Sequence, residues 1–434
     1  MSIGLWARWV ALHGIPRAFM TQRASRGDPL GQIIASHGRA IDPYPVYANL
    51  RSRGPLVRSP FAWASADHGV CRELLRDRNF GVTAPADMDL PRPLRALLAR
   101  TDPGVANPVE PPAMVIVNPP DHTRYRQLVA QSFTPRAIET LRERVNELTT
   151  ELVDGLAAHD RPDLIADFAA ELPVAIIAEI IGLPSDSHAQ LLQWGRCGAP
   201  LLDVGIGWRT YRNAINGLRD IDGYINERFR QIRAGEASET AFSRLATDDS
   251  LTPRELAANG ALLVGAGFET TVNLIGNGIV ALSRHPEQLA RLRAEPDLWP
   301  GAVEEILRYE SPVQMTARTA LRDVEIAGHR VREGEMVVLL LGGANRDPNV
   351  FTDPDTFDIG RVNARDHLAF ASGIHACIGA ALARIEGTTA LRALFEAYPD
   401  LSLAGEPQRR GLVNLFGYER LPVRLGSRHD AAVH

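Results

Sequence analysis

The sequence predicts a mainly α-helical protein with a small β portion, formed by a single domain over residues 1–434. Stretches with helical apolar spacing run through most of the chain, while strand-like sequence is confined to residues around 54–66 and 313–341. No fixed-period repeat and no low-complexity segment separates domains. We therefore expect one helix-rich body with an N-terminal extension over residues 1–30, although length alone would suggest two or three domains.

The composition excludes several classes of function. The formal net charge of −5 gives no electrostatic basis for binding nucleic acid. All 47 basic residues are arginine, because the sequence contains no lysine. This excludes the Schiff-base lysine of pyridoxal enzymes and the phosphate-loop lysine of nucleotide triphosphatases.

The cysteines and the N-terminus predict a soluble protein of the reducing cytoplasm. Cys71, Cys197 and Cys377 are odd in number and far apart, so no disulfide framework is visible. The first 20 residues lack the roughly 18–20 residue apolar run of a membrane span and the features of a signal peptide. We favour a short helix docked on its own domain over a helix at a membrane interface.

The other elements follow in order from local signals. Residues 54–66 resemble paired strands. Pro119 and Pro120 prevent a helix from starting earlier, and Asp121 is a suitable N-cap for the next one. Further helical patterns cover residues 136–157, 164–182 and 185–233. Residues 322–341 predict strands around a glycine turn.

One helix is predicted to cross the whole molecule. Thr252, Pro253 and Glu255 form a capping box with proline at the first helical position, and Pro286 bounds the other end. A helix of about 30 residues would be roughly 45–50 Å long at ~1.5 Å per residue.

The middle of this helix, LLVGAGFETTVNLIGNG, has two interpretations. Gly265 and Gly267 each cost about 1 kcal/mol relative to alanine, and Glu269 is a charged group in apolar sequence. The glycines could simply allow close helix packing while the acid reaches solvent. Alternatively, the small residues could make room for a large flat ligand, and the hydroxyl of Thr270 could open a turn that holds water beside the acid.

Charged residues elsewhere predict an ion pair and a cationic cluster. Glu305 and Arg308 are spaced i, i+3 and can pair on one helix face, which is most often a solvated face. Four other groups could surround an anionic ligand with two carboxylates; they are His122, Arg126, Arg318 and His375.

Cys377 lies in the glycine-bracketed stretch FASGIHACIG, just before a helical run. A zinc site would need a second pair of ligands, and an acyl-transfer nucleophile would need a base with an orienting partner; neither is visible. A thiolate ligand to haem iron fits best. Gly373 and Gly379 permit close approach to a flat macrocycle, the following helix directs its amides at the sulfur, and Phe370 can shield it from water.

At this point the sequence resembles the cytochrome P450 haem-thiolate monooxygenases, specifically their soluble bacterial members. The resemblance covers residues from about 40 to 425. The motifs that match are the cysteine loop at Phe370, Gly373, His375, Cys377 and Gly379, the oxygen-activating helix from Ala266 to Thr271, the E-x-x-R pair at Glu305 and Arg308, the segment 345–361, and HTRYR at 122–126.

The resemblance implies a triangular fold in which haem b lies between the long helix and the cysteine loop. Cys377 would be the ligand of the iron, and Ala266 would lie beside the haem. Arg361 would join the buried structural pair of Glu305 and Arg308. The haem propionates would be held by His122, Arg126, Arg318 and His375.

Three classes of function are compatible with such a site. The first is a monomeric monooxygenase that uses O2 and electrons from NAD(P)H through ferredoxin and ferredoxin reductase, with Glu269 and Thr270 delivering protons. The second is a peroxygenase that uses hydrogen peroxide, in which the acid–threonine pair would be replaced. The third is a haem-binding sensor or carrier, which would need no proton relay.

Substrate specificity is expected in variable segments at 84–117, 185–215 and 313–317, in the long helix, and in the loop at 415–416. These segments supply mainly apolar groups, so we expect a largely hydrophobic small molecule. The individual substrate-facing candidates are Leu262, Ala266, Val313, Met315 and Phe416.

Overall fold

A computed structural model of the chain describes residues 3–39, 41–83, 91–235 and 240–429. Most of these residues are helical, which confirms the predicted mainly α-helical fold with a small β portion. The α-helices in the described ranges are α1 (Ile3–Trp9), α2 (Ile15–Ser25), α3 (Pro29–Ile34), α4 (Tyr44–Ser52), α5 (His68–Arg76), α6 (Arg92–Arg100), α7 (Asp121–Ala130), α8 (Pro135–Gly155), α9 (Glu171–Ile181), α10 (His188–Gly198), α11 (Trp208–Arg233), α12 (Ala241–Ala246), α13 (Pro253–Arg284), α14 (Pro286–Ala294), α15 (Trp299–Tyr309), α16 (Leu341–Ala344) and α17 (Ala380–Ala397).

The strands of the β portion are β1 (Val57–Arg58), β2 (Trp63–Ser65), β3 (Phe80–Gly81), β4 (Thr316–Ala320), β5 (Val324–Ile326), β6 (His329–Val331), β7 (Met336–Leu339), β8 (Ser402–Leu403), β9 (Gln408–Arg409), β10 (Tyr418–Arg420) and β11 (Val423–Arg424). They form one five-stranded sheet, in the order β1-β2-β7-β4-β3, and three two-stranded sheets that pair β5 with β6, β8 with β11 and β9 with β10. The pair β2–β7 is parallel, and the other pairs are antiparallel. Both regions predicted as strands therefore contribute to the main sheet.

Helix α13 is the long central helix that the sequence predicts. Its first turn is closed by a reciprocal capping box, in which Thr252 Oγ1 accepts from the Glu255 amide and a Glu255 carboxylate oxygen accepts from the Thr252 amide. Helices α9, α11 and α17 pack along it. A Cβ at Gly267 would collide with Ile177 of α9, and one at Gly278 would lie 2.7 Å from Leu391 of α17. These glycines therefore allow close helix packing.

The N-terminal helices dock on the body of the protein. The guanidinium of Arg8 is buried, donates to the Leu98 carbonyl at 2.8 Å and pairs with Glu110 at 2.9 Å. The indole N–H of Trp9 donates to the Ile206 carbonyl at 2.9 Å. Helix α1 is thus tied to α6 and to the segment before α11. Among the described residues, no helix is both long and apolar enough to cross a membrane.

A fully buried ion pair joins α15 to the segment that leads to Cys377. Arg308 donates twice to the Glu305 carboxylate, at 2.7 and 2.8 Å, and Arg361 approaches the same carboxylate at 3.2 Å. Arg308 also donates to the carbonyls of Asn345 at 3.0 Å and Pro354 at 2.8 Å. The guanidinium thus satisfies backbone groups in a long irregular segment as well as its acid partner.

The first prediction concerns this ion pair. Arg308→Lys keeps the charge but loses the planar set of donors, so it should lower the free energy of unfolding by about 1–3 kcal/mol for each buried carbonyl that is left without a donor. Urea unfolding followed by far-ultraviolet circular dichroism measures the change. The control is Arg142→Lys, since Arg142 makes the same two-bond i, i+3 pair with Glu139 on the exposed face of α8. Equal unfolding midpoints for the two variants would contradict the assignment.

Candidate functional site

The backbone of the loop that contains Cys377 is fixed by short-range contacts. The Cys377 amide donates to the Phe370 carbonyl at 2.9 Å, and a short 3-10 turn begins at Gly373. Gly373 has φ of +71°, and a Cβ there would collide with the Leu75 carbonyl of α5. Only glycine fits this position. Helix α17 begins three residues after Cys377, so its first amides lie beside the sulfur.

The environment of the Cys377 sulfur is mixed. Cys377 has accessible surface, yet desolvation raises the pKa of its thiol, as expected for a group that lines an internal recess. A hydrogen bond from the Gly379 backbone and the charges of Arg126 and Arg384 act in the opposite direction and favour the thiolate. A coordinated metal ion would complete the deprotonation.

The four cationic candidates lie together. The rings of His122 and His375 are 4.2 Å apart, and both Nε2 atoms are buried without a hydrogen-bond partner. Burial and the neighbouring cations lower the pKa of His375 to about 3. Burial also lowers the pKa of Arg318 to about 10. Arg126 donates to the Ala376 carbonyl at 2.8 Å. Within the described ranges none of the four has a carboxylate partner, so the cluster suits an anionic ligand.

Helix α13 is accessible at one turn in its otherwise buried middle. Ala266 is exposed although Val264 and Phe268 are buried, and a Cβ at Gly265 would contact nothing within 4 Å. Thr270 is half-buried and lies on the same face as Ala266, four residues along the helix. The helix nevertheless runs unbroken through Thr270, so the opened turn considered from the sequence is absent. Packing against α9 and a contact made by the neighbouring acid, Glu269, keep this turn helical.

That contact is a buried ion pair between Glu269 and Arg410, which the sequence did not predict. The Glu269 side chain is 7% exposed, and the guanidinium of Arg410 donates to its carboxylate. Arg410 follows β9 and lies 141 positions away along the chain. No periodicity or motif connects two residues so far apart, so only the tertiary structure reveals the pair.

A second buried acid lies next to α13, and the sequence did not predict its burial either. Glu386 of α17 is buried, and desolvation raises its pKa to about 8, although a hydrogen bond with Thr271 lowers it in part. The sequence does contain a signal for this group, since Glu386 interrupts the apolar face of ALARIEGTTALRALF.

The substrate candidates separate into two groups. Leu262 is buried in α13, and Val313 and Met315 are half-buried in the segment after α15, where Val313 pairs with Leu415 through a β-bridge. Phe416 instead packs in the core. Its ring meets Tyr44 edge-on at 6.0 Å and lies 4.1 Å from the Arg409 guanidinium. Part of the predicted segment 84–117, residues 84–90, lies outside the described residues.

These residues fit a haem group. A haem presents two carboxylates, and the two unpartnered imidazole nitrogens together with Arg126 and Arg318 could bind them. A thiolate donor stands at the N-terminus of α17, and the absence of a side chain at Gly265 and the single methyl group of Ala266 leave room for a flat ring. Across the described residues no group of three or more His, Cys, Asp or Glu side chains is placed to hold a metal ion.

Comparisons with known proteins identify the family. Residues 207–399 match the family model described as Cytochrome P450. The chain is 43% identical over 427 residues to the putative cytochrome P450 140 of Mycobacterium tuberculosis, covering 96% of this chain and 97% of that protein. It is 37% identical over 391 residues to the biotin biosynthesis cytochrome P450 of Bacillus subtilis, covering 88% and 96%.

Solved structures show the same relationship. P450BioI, in complex with an acyl carrier protein ligated to hexadec-9Z-enoic acid, aligns with a TM-score of 0.82 and 37% identity over 88% of this chain and 98% of that one. CYP164A2 of Mycobacterium smegmatis aligns with a TM-score of 0.80 and 32% identity over 91% and 99%. The chain belongs to the cytochrome P450 family of haem-dependent monooxygenases, which are oxidoreductases.

The second prediction tests the iron ligand. Replacement of the sulfur by an imidazole, in Cys377→His, should abolish the red-shifted Soret band of the ferrous carbon monoxide complex, because that band reports thiolate ligation. Cys197→Ser, at a half-buried cysteine of α10, is the control and should keep the band. Persistence of the band in Cys377→His would show that another residue binds the iron.

Proposed function

We propose that this cytochrome P450 inserts one oxygen atom of O2 into a largely hydrophobic small molecule in the cytoplasm, with electrons from NAD(P)H delivered by a ferredoxin and its reductase. The observation that supports this best is the combination of the Cys377 loop with the accessible turn of α13 at Ala266 and Thr270. The haem, when bound, supplies the activation of O2. The protein supplies orientation, exclusion of water and protons.

Apolar side chains support the proposed substrate class. Leu262, Val313 and Met315 present no charge, and Ala266 adds only a methyl group to the accessible turn. Two related proteins of Bacillus subtilis are named for biotin biosynthesis and for polyketide biosynthesis. Titration with a panel of hydrophobic compounds, monitored by the spin state of the iron and followed by product analysis, tests this assignment. Turnover with hydrogen peroxide alone, matching that with ferredoxin and reductase, would instead support a peroxygenase.

Thr270 and Glu269 are the proposed proton-delivery residues. A hydroxyl on the face of α13 beside Ala266 can hold a water molecule, and a carboxylate next to it can exchange a proton with that water. Glu269 is held by Arg410 in the structure. Its role as a donor therefore requires that the carboxylate exchange this contact for a water during turnover.

The third prediction tests this relay. Thr270→Ala should preserve haem binding and NAD(P)H consumption while diverting electrons to hydrogen peroxide, because the water loses its hydrogen-bond partner. Glu269→Gln should slow turnover, because the amide cannot donate a proton as a carboxylic acid does. The measurement is product formed per NAD(P)H consumed.

Two controls separate this relay from packing effects. Thr270→Val keeps the shape of the side chain and removes only the hydroxyl, so it should behave like Thr270→Ala. Arg410→Gln breaks the ion pair but keeps the carboxyl group, so it should retain more activity than Glu269→Gln. An unchanged product ratio in both Thr270 variants would rule out the relay.

Electron donation is proposed to occur at the surface beside the cysteine loop, through arginine alone. Arg76, at the end of α5, is exposed, and its Cα lies 3.1 Å from the position that a Cβ on Gly373 would take. Arg365 is also exposed and precedes the loop. Guanidinium groups at such a surface can attract the acidic face of a small redox protein.

The fourth prediction follows from this charge. Arg76→Ala should slow ferredoxin-dependent reduction several-fold at low ionic strength, and the difference should shrink as salt screens charges beyond ~8 Å. Stopped-flow reduction over a range of salt concentrations measures the effect. Arg209→Ala, at an exposed arginine at the start of α11, is the matched control and should leave the rate unchanged. A reduction rate independent of salt would contradict an electrostatic docking surface.

A further inference from the structure

Asp203 is a buried carboxylate that the proposed chemistry does not use. It lies in the connection between the short 3-10 turn Ala199–Leu202 and α11, and its side chain is 1% exposed. The Asn414 amide donates to its Oδ1 at 2.8 Å, and the Val413 amide donates to its Oδ2 at 2.7 Å. His37 Nδ1 lies 2.8 Å from the same Oδ2. Three segments that are far apart in the sequence therefore meet at one side chain.

The contacts at Asp203 require a group that only accepts hydrogen bonds. Two of its partners are backbone N–H groups, which cannot change their role. An ionised carboxylate offers acceptor sites on both oxygens, whereas an amide would direct its NH2 group toward one of these donors. Charge-assisted hydrogen bonds of this kind are stronger than neutral ones, and a buried donor left without a partner is costly.

The turn held by Asp203 is paired with the segment after α15. The Asn414 carbonyl accepts from the Gln314 amide at 2.9 Å, and its side-chain oxygen accepts from the Met315 amide at 3.3 Å. The Phe416 amide donates to the Pro312 carbonyl at 2.8 Å. Together with the bridge between residues 313 and 415, these contacts fix the backbone of the two substrate-facing candidates Val313 and Met315.

The N-terminal segment holds the same turn from another side. The Gly38 amide donates to the Gly411 carbonyl at 2.7 Å, and a Cβ on Gly411 would lie 3.1 Å from the Gly38 Cα. This close backbone approach places the neighbouring His37 beside Asp203. The N-terminal segment is therefore a further anchor of the turn at 411–416, and Asp203 is the side chain that connects this turn to the segment before α11.

We propose that Asp203 is a positioning residue for the substrate wall: it fixes the turn at 411–416 and, through Asn414, the backbone of Val313 and Met315. The side chains of these two residues then have one defined position relative to the haem. The consequence for substrate orientation rests on the function proposed above. The consequence for the shape of the binding recess does not rest on that function, because it can be measured on the haem-bound protein without turnover.

Hydrogen exchange of the haem-loaded protein tests the first step. In Asp203→Asn, exchange in peptides covering 411–417 and 312–317 should become about tenfold faster, since each loses a charge-assisted hydrogen bond or its support. His37→Ala leaves both backbone N–H groups bonded to the Asp203 carboxylate and should cause a smaller increase. Asp220→Asn, at an exposed aspartate of α11, is the control and should change neither peptide. Unchanged exchange at 411–417, or a change confined to that peptide, would overturn the proposal.

Affinity for small haem ligands tests the second step. The 1-, 2- and 4-isomers of phenylimidazole bind haem iron through nitrogen and direct the phenyl ring to different parts of the wall. Asp203→Asn should change the ratios between their three dissociation constants by at least about threefold. A shift of the wall by about an ångström is enough to produce such a difference. A purely structural role would lower stability and leave the ratio unchanged, which would refute the positioning role. Failure of the monooxygenase proposal would affect neither measurement.

Discussion

The guanidinium of Arg308 is the group on which the position of Cys377 depends most. Between α16 and α17 the chain runs for about 35 residues with only two short 3-10 turns, a length at which an irregular segment needs side chains to satisfy its backbone. Arg308 and Arg361 donate to carbonyls throughout the first part of this segment, at 345, 352, 353, 354 and 356. Glu305 balances both charges without exposure to water.

The neighbouring acid Glu304 provides the same support at the second half of the segment. Its carboxylate accepts from His367 and Arg384, and although desolvation acts against ionisation, these partners lower its pKa to about 2. The guanidinium of Arg384 also covers the ring of Phe370 at 4.6 Å. Two adjacent acids of α15 therefore anchor both ends of the segment that leads to Cys377. Glu305 acts through the arginines that donate to backbone carbonyls, and Glu304 acts through side chains of the loop and of α17.

The sequence predicted the features that depend on local signals. The capping box of α13, the glycine-bracketed loop before Cys377 and the i, i+3 spacing of Glu305 and Arg308 each lie within a few residues. The pairs Glu269–Arg410 and Asp203–Asn414 join positions 141 and 211 residues apart. Glu269 stands out in the sequence as a charge in an apolar helix, but nothing within a few residues of either acid identifies its partner. The burial of Phe416 was missed for a related reason, because its partner Tyr44 comes from the other end of the chain.

The exclusive use of arginine has a consequence for alkaline solutions. A lysine ammonium loses its charge near pH 10–11, whereas guanidinium keeps its charge beyond pH 12. Every ion pair of the described residues that does not involve histidine has arginine as its cation, including the pairs that hold the cysteine segment and the acid of α13. The cationic half of this network therefore stays intact in mildly alkaline media, where reagents that target primary amines also find no side chain to modify.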